Sequence, residues 1–151
     1  MTIAGNWYNE LGSMMVISVS GSMLQGTYQS FVGNAQGTYQ LQGTYNPVPY
    51  SGSTSQAASW AVAWNNAHGN SHAATAWSGQ YQVDDGQEQI SALWFMTSET
   101  SPQNDWQSTL AGKDVFTRTQ PSAEMIAAAR KRLAPSHPCD AAHAETAVKD
   151  V

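Results

Sequence analysis

With 151 residues, 41% of them hydrophobic and only 11% charged, the chain can close one domain around a core and carry a short tail. Within a formal net charge of −5, residues 1–120 hold two cations, Lys113 and Arg118, against seven carboxylates. That leaves no basic stripe to neutralise phosphates, which excludes tight nucleic-acid binding, and no apolar run approaches the roughly 20 residues of a spanning helix, so a membrane partner is not expected.

Alternation with a period of two dominates residues 1–120 and predicts strands. In chain order they are expected near 5–10, 13–20, 24–30, 37–46, 57–66, 72–83, 87–98 and 108–119. In the second, Met14, Val16 and Ser18 face one way and Met15, Ile17 and Val19 the other. Gln-Gly-Thr-Tyr occurs at 25–28, 36–39 and 42–45, but spacings of 11 and 6 are irregular. The recurrence therefore reads as hairpin chemistry reusing strand-forming Thr and Tyr, not as a repeat architecture. Trp60, Val62 and Trp64 share one face of the fifth strand, and Ile90, Ala92 and Trp94 one face of the seventh. Turn signals separate the strands at Ser20-Gly21, Gly33-Asn34, Asn46-Pro47, Ser51-Gly52, Gly69-Asn70 and Asp84-Asp85-Gly86. Eight sequential strands without long crossovers predict an all-β protein, an antiparallel up-and-down barrel whose closure removes exposed edges.

From residue 121 the texture changes, dividing the chain into a barrel domain (1–120) and a C-terminal helical and disordered tail (121–151). Pro121 and Ser122 suit a helix start, with Glu124 in the first turn. Met125, Ile126, Ala129 and Leu133 form a narrow apolar stripe, Arg130-Lys131-Arg132 suits a helix C-terminus, and Pro135 stops it. So short a helix is marginal in water and needs a docking surface, on the body or on a neighbour, even at a pocket mouth. Residues 135–151 lack a hydrophobic pattern and are expected to be disordered. Cys139 is the sole cysteine, so no disulfide forms within one chain. No basic segment followed by an apolar one opens the sequence, so no signal peptide is expected in it.

Trp64, Trp77, Trp94 and Trp106 are interleaved with Asn9, Ser13, Tyr28, Ser30, Thr75 and Asp114 on these short segments. Large apolar rings with a few polar groups suit a dry pocket for a small molecule. An unsatisfied buried polar group costs about 1–3 kcal/mol, so a core would not collect so many without a ligand to pair them. Tyr28 and Ser30 flank Gln29 and point to the same face. No nucleophile elbow surrounds Ser30 or Ser78, and no phosphate loop or dinucleotide fingerprint occurs, so no enzyme is expected. His68 and His72 lack a Cys or carboxylate at ligand spacing, so neither a metal nor another cofactor is expected.

Gly5-Asn6-Trp7-Tyr8-Asn9-Glu10-Leu11-Gly12-Ser13 resembles the first strand and turn of the avidin and streptavidin family. Gly26-Thr27-Tyr28-Gln29-Ser30 and Val32-Gly33-Asn34-Ala35 are similar to its third strand and following loop. Trp60-Ala61-Val62-Ala63-Trp64-Asn65-Asn66 and Thr75-Ala76-Trp77-Ser78-Gly79-Gln80-Tyr81 are similar to its fifth and sixth strands. Trp94-Phe95-Met96-Thr97-Ser98 and the run from Trp106 to Phe116 complete the pattern, in order over residues 5–119.

The resemblance implies an eight-stranded barrel that binds biotin at one end, non-catalytically. It casts Asn9, Ser13 and Tyr28 as donors to the ureido carbonyl oxygen, and Ser30 and Asp114 as acceptors for the two ureido N–H groups. Thr75 reaches the ring sulfur, and Trp64, Trp77, Trp94, Met96 and Leu11 line the pocket. Val32, Gly33 and Asn34 form a lid, where the Asn34 backbone N–H meets the ligand carboxylate. Trp106 completes the pocket of a neighbouring subunit, which implies a homotetramer, with a dimer as the alternative. The resemblance further implies a secreted or periplasmic protein that sequesters the vitamin. Ala73 stands where the streptavidin-like pattern has a serine for the biotin carboxylate, which predicts a modest loss of affinity. A barrel of the same shape binding another small amphiphile, as lipocalins do, is the competing expectation.

Overall fold

The computed structural model describes residues 2–30 and 35–132. Eight strands follow one another: β1 Gly5–Asn9, β2 Met14–Ser20, β3 Met23–Gln29, β4 Thr38–Tyr45, β5 Gln56–Asn66, β6 Gly69–Asp84, β7 Gln87–Ser98 and β8 Thr109–Thr117. Each pairs antiparallel with the next, and β8 returns to β1, so the sheet is a closed up-and-down barrel. The seam is short, resting on Tyr8 opposite Thr117 and Asn9 opposite Phe116. A 3-10 segment, Pro102–Gln107, precedes β8, and helix α1, Ala123–Arg132, follows it. The expected strands all form. Residues 133–151, and with them Leu133 and Cys139, lie outside the described residues.

Alternation builds the interior. Along β5, Ala58, Trp60, Val62 and Trp64 are buried while Ala57, Ala61 and Ala63 are exposed, and β6 buries Thr75, Trp77 and Tyr81 in the same way. Two of the three Gln-Gly-Thr-Tyr glycines, Gly26 and Gly43, lie in strands, where a Cβ would overlap the carbonyl oxygens of Val16 and Ser59. There the recurring glycine serves close strand approach.

The ladder departs from expectation between β5 and β6. Gly69-Asn70 reads as a turn, yet Asn66 pairs with Gly69 and Asn65 with Asn70 beyond an irregularity after Ala63. The reversal is at 67–68 instead, where Asn66 Oδ1 accepts the His68 amide at 2.8 Å. The side chain of Asn66, not the glycine, starts the turn.

In such a meander the connections β1–β2, β3–β4, β5–β6 and β7–β8 share one end. The opposite end is sealed by Arg118. Its guanidinium lies 3.7 Å over the Trp7 ring and donates to the Thr2, Ala4 and Asn6 carbonyls and to Glu88. Tyr81 donates to the same Glu88 at 2.7 Å and packs edge-on against Trp7. Arg118 and Tyr81 hold the Glu88 carboxyl below its ordinary pKa, while burial and the Glu88 carboxylate push Tyr81 up from 10.0 to about 12. Arg118→Ala should therefore lower stability by about 2–3 kcal/mol in urea titrations, since it removes several charge-assisted hydrogen bonds. The Tyr81 contribution should hold below its unfolded pKa and fade as pH climbs toward about 12. Alkaline unfolding followed by tyrosine absorbance checks it.

Candidate ligand-binding site

Among the described residues the buried polar side chains are those of Asn9, Ser13, Ser30, Thr75 and Asp114. Asn9 and Ser13 flank the β1–β2 turn and Ser30 directly follows β3, on the end opposite Arg118. Asp114 on β8 lies two residues from Phe116, the seam partner of Asn9, and so faces the interior beside it. The barrel thus collects its buried polar groups toward one mouth.

Local bonding aims them. Asn9 Oδ1 accepts from the Leu11 amide at 3.1 Å and the Ser13 amide at 2.9 Å. Only an oxygen can accept both, so the amide orientation is settled and Nδ2 is left as a donor. Asp114 Oδ2 accepts the Trp77 indole N–H at 2.8 Å. Thr75 Oγ1 accepts the Trp64 indole N–H at 2.8 Å, leaving its own proton to donate elsewhere. Asn9 Nδ2, Ser13 Oγ, Trp94 Nε1 and Asp114 Oδ1 are buried with no hydrogen-bond partner among the described residues. Two indoles therefore orient polar groups as well as forming walls.

Aromatic rings enclose this polar set. Tyr28 stacks on Trp77 at 5.3 Å and meets Trp64 edge-on at 5.7 Å. Trp77 pairs with Trp94, and Trp94 with Gly112, across three strands. A Cβ on Gly112 would drive into the Trp94 indole, so glycine there lets the ring lie against β8. Two wall residues escape the sequence reading. Tyr39 is buried edge-on against Trp64 at 5.0 Å, and Trp60 stacks on Trp77 at 5.9 Å with its indole nitrogen buried and unpartnered among the described residues. The signal for both was present in the alternation, since Tyr39 follows Thr38 at the start of β4 and Trp60 shares a face with Trp64.

The remaining expected residues divide. Met96 is buried opposite Thr75, and Ala73 is partly buried at the start of the same row of inward positions. Leu11 is buried too, but in a separate apolar pair with Ala129 of α1, away from the aromatic walls. Trp106 is 81% exposed on the 3-10 segment at the mouth end. Val32, Gly33 and Asn34 lie outside the described residues. No group of three or more His, Cys, Asp and Glu residues is placed to hold a metal among the described residues.

The model of the Avidin family matches residues 1–119, most of the chain. The chain belongs to the avidin family. Hoefavidin from Hoeflea phototrophica is 35% identical over 101 residues, covering 60% of this chain and 58% of that protein. Avidin from Gallus gallus is 29% identical over 130 residues, covering 82% of each, and avidin-related protein 4/5 from the same organism is 28% identical over 121 residues, covering 78% of this chain and 77% of that one. The matched residues contain the whole barrel and every buried polar group, while α1 lies beyond the family match.

Within this avidin-type barrel Asp114 is electrostatically exceptional. Burial pushes its carboxyl well above the ordinary value and the nearby Glu10 charge adds to the rise, while the Trp77 indole and the Asn9 amide favour the charged form. A raised folded pKa means that the stability it contributes is complete below the unfolded value of about 4 and is lost as pH rises through the folded one. Asp114→Asn should remove that loss. Urea midpoints of variant and wild type should diverge in the variant's favour as pH rises above about 4; a constant difference would contradict the burial argument.

Proposed function

We propose that this protein binds biotin at the barrel mouth without catalysing a reaction. The observation that carries the reading is the set of buried, aimed and unpartnered groups, the donors Asn9 Nδ2 and Ser13 Oγ and the acceptor Asp114 Oδ1, enclosed by indole rings. A cyclic urea presents one acceptor oxygen flanked by N–H donors, the complement of that set. Asn9, Ser13 and Tyr28 donate to the ureido oxygen and favour its charge-separated form, as an oxyanion hole would. Asp114 and Ser30 accept the two N–H groups, and Thr75, already engaged by Trp64, turns its proton to the ring sulfur. Trp64, Trp77, Trp94 and Met96 enclose the bicycle, and Val32, Gly33 and Asn34 close over the top. A purely amphiphilic ligand would leave the donors and Asp114 unpaired, at about 1–3 kcal/mol each.

The assembly we infer is a homotetramer. Across β5 to β8, Ala61, Ala76, Phe95 and Ala111 are register partners on the outer face, and all are exposed. Leu93 and Phe95 are 57% and 56% exposed, an apolar face that suits another subunit. The exposed Trp106 then reaches a neighbour's pocket. By resemblance to its family the protein is secreted or periplasmic and withholds the vitamin.

Calorimetric titration should show one biotin per chain, and native mass measurement four chains; no heat together with free passage through a biotin column would sink the reading. An N–H donor favours ionised Asp114, so binding should release protons wherever the free carboxyl is protonated. Heats should then vary with the buffer's ionisation enthalpy, and Asp114→Asn should abolish the variation. Ala73→Ser restores a rim hydroxyl and should slow biotin release by about tenfold or less, given solvent competition. Stopped-flow displacement reads that rate.

A further inference from the structure

Helix α1 rests on the turn that holds the site's donors. Ala129 is 1% exposed and shares its apolar cluster with Leu11 alone. One turn earlier, Ile126 lies against Gly12, where a Cβ would stand 2.8 Å from Ile126 Cδ1. Gly12 also adopts a φ of +85°, so both space and backbone require glycine beneath the helix. Met125 is 62% exposed, so among the described residues the expected stripe narrows to Ile126 and Ala129. Ser122 caps the helix, its Oγ accepting the Met125 amide at 3.2 Å, but ten residues do not hold a helix in water without docking.

The seat is no neutral surface. Its amides at Leu11 and Ser13 fix Asn9 Oδ1, and the Gly12 amide donates to the Asn9 carbonyl at 3.0 Å. From the other side Glu10 Oε2 accepts the Val115 amide at 3.2 Å, beside Asp114. The turn is thus held between α1 and β8. We infer that α1 is a brace for the ligand site, with Ile126 and Ala129 as positioning residues that keep Asn9 Nδ2 and Ser13 Oγ aimed inward. Undocking frees the turn and lets the Asn9 amide rotate away from its two backbone donors. Ligand binding and helix docking then favour each other by the same factor. The ligand's identity rests on the biotin reading; the link between helix and turn does not.

The full chain tests this through Ala129→Arg, the milder Ile126→Ala, and Met125→Ala as a solvent-facing control. In ligand-free protein the Leu11 and Ser13 amides should exchange hydrogen about tenfold faster in the first two variants and at the wild-type rate in the third. Biotin release should be about tenfold faster in Ala129→Arg, and the same substitution should add little in an Asn9→Ala background, because both act through one side chain. Biotin should in turn slow exchange of the α1 amides in the wild type. Faster α1 exchange with unchanged Leu11 and Ser13 protection overturns the brace, as does full additivity with Asn9→Ala. A wild type that binds no biotin overturns the proposed function instead, and the ligand-free exchange still decides the brace.

Discussion

Everything in this barrel hangs on a seam of two residue pairs, Tyr8 with Thr117 and Asn9 with Phe116. β6 and β7 share twelve register partners, so the ladder is far from uniform, and the weakest join is also where Asn9 is positioned. Reinforcement comes from side chains on both sides of the seam. Arg118 binds three carbonyls at the chain's start, and Glu10 reaches the Val115 amide. Charge-assisted bonds of this kind are stronger than neutral ones and hold a short ladder in register. The seam joins the Arg118 end of the barrel to the end that carries the buried polar groups.

A rigid frame is what allows polar groups to remain unpaired inside an apolar shell. Left to relax, Asn9, Ser13 and Asp114 would satisfy one another or draw in water, because each unpaired group carries a desolvation cost. Here Asn9, Asp114 and Thr75 are half engaged, and Ser13 Oγ has no partner among the described residues. Asn9 spends its oxygen on two amides, Asp114 spends one oxygen on Trp77, and Thr75 accepts from Trp64. In the proposed function, the unpartnered atoms that remain are the ones a ligand would pair. Such preorganisation shifts the ordering cost from binding to folding, which is how a small concave site binds tightly. The same burial that prepares Asp114 as an acceptor keeps its free carboxyl reluctant to ionise. Acceptor strength and pH sensitivity therefore share one cause.

Much of the candidate site was named through the family resemblance and through the interleaving of polar residues with tryptophans. Asn9, Ser13, Ser30, Thr75 and Asp114 could be named from their order along the chain, and all are buried. What escaped depends on distance across the sheet. Leu11 reads as a pocket residue by position, but the helix that covers it comes more than a hundred residues later. Tyr39 reads in the sequence only as one of the strand-forming Gln-Gly-Thr-Tyr tyrosines, and the β3–β4 register puts it opposite Tyr28 and against Trp64. Met125 belongs to the helical stripe by spacing, yet among the described residues it is Ile126 and Ala129 that sit on Leu11 and Gly12.

Strand number, order and inward faces followed from the sequence alone, since period-two alternation and turn residues act over a few neighbouring positions. The expectation that nucleic acid is no partner rests only on the scarcity of cations. Tertiary structure alone decided which buried polar atoms are satisfied, in which direction the Asp114 pKa is displaced, and where α1 comes to rest. Those outcomes depend on hydrogen-bond geometry and burial between residues far apart in the chain. No local pattern carries that information, because closing the barrel is what brings the partners within reach.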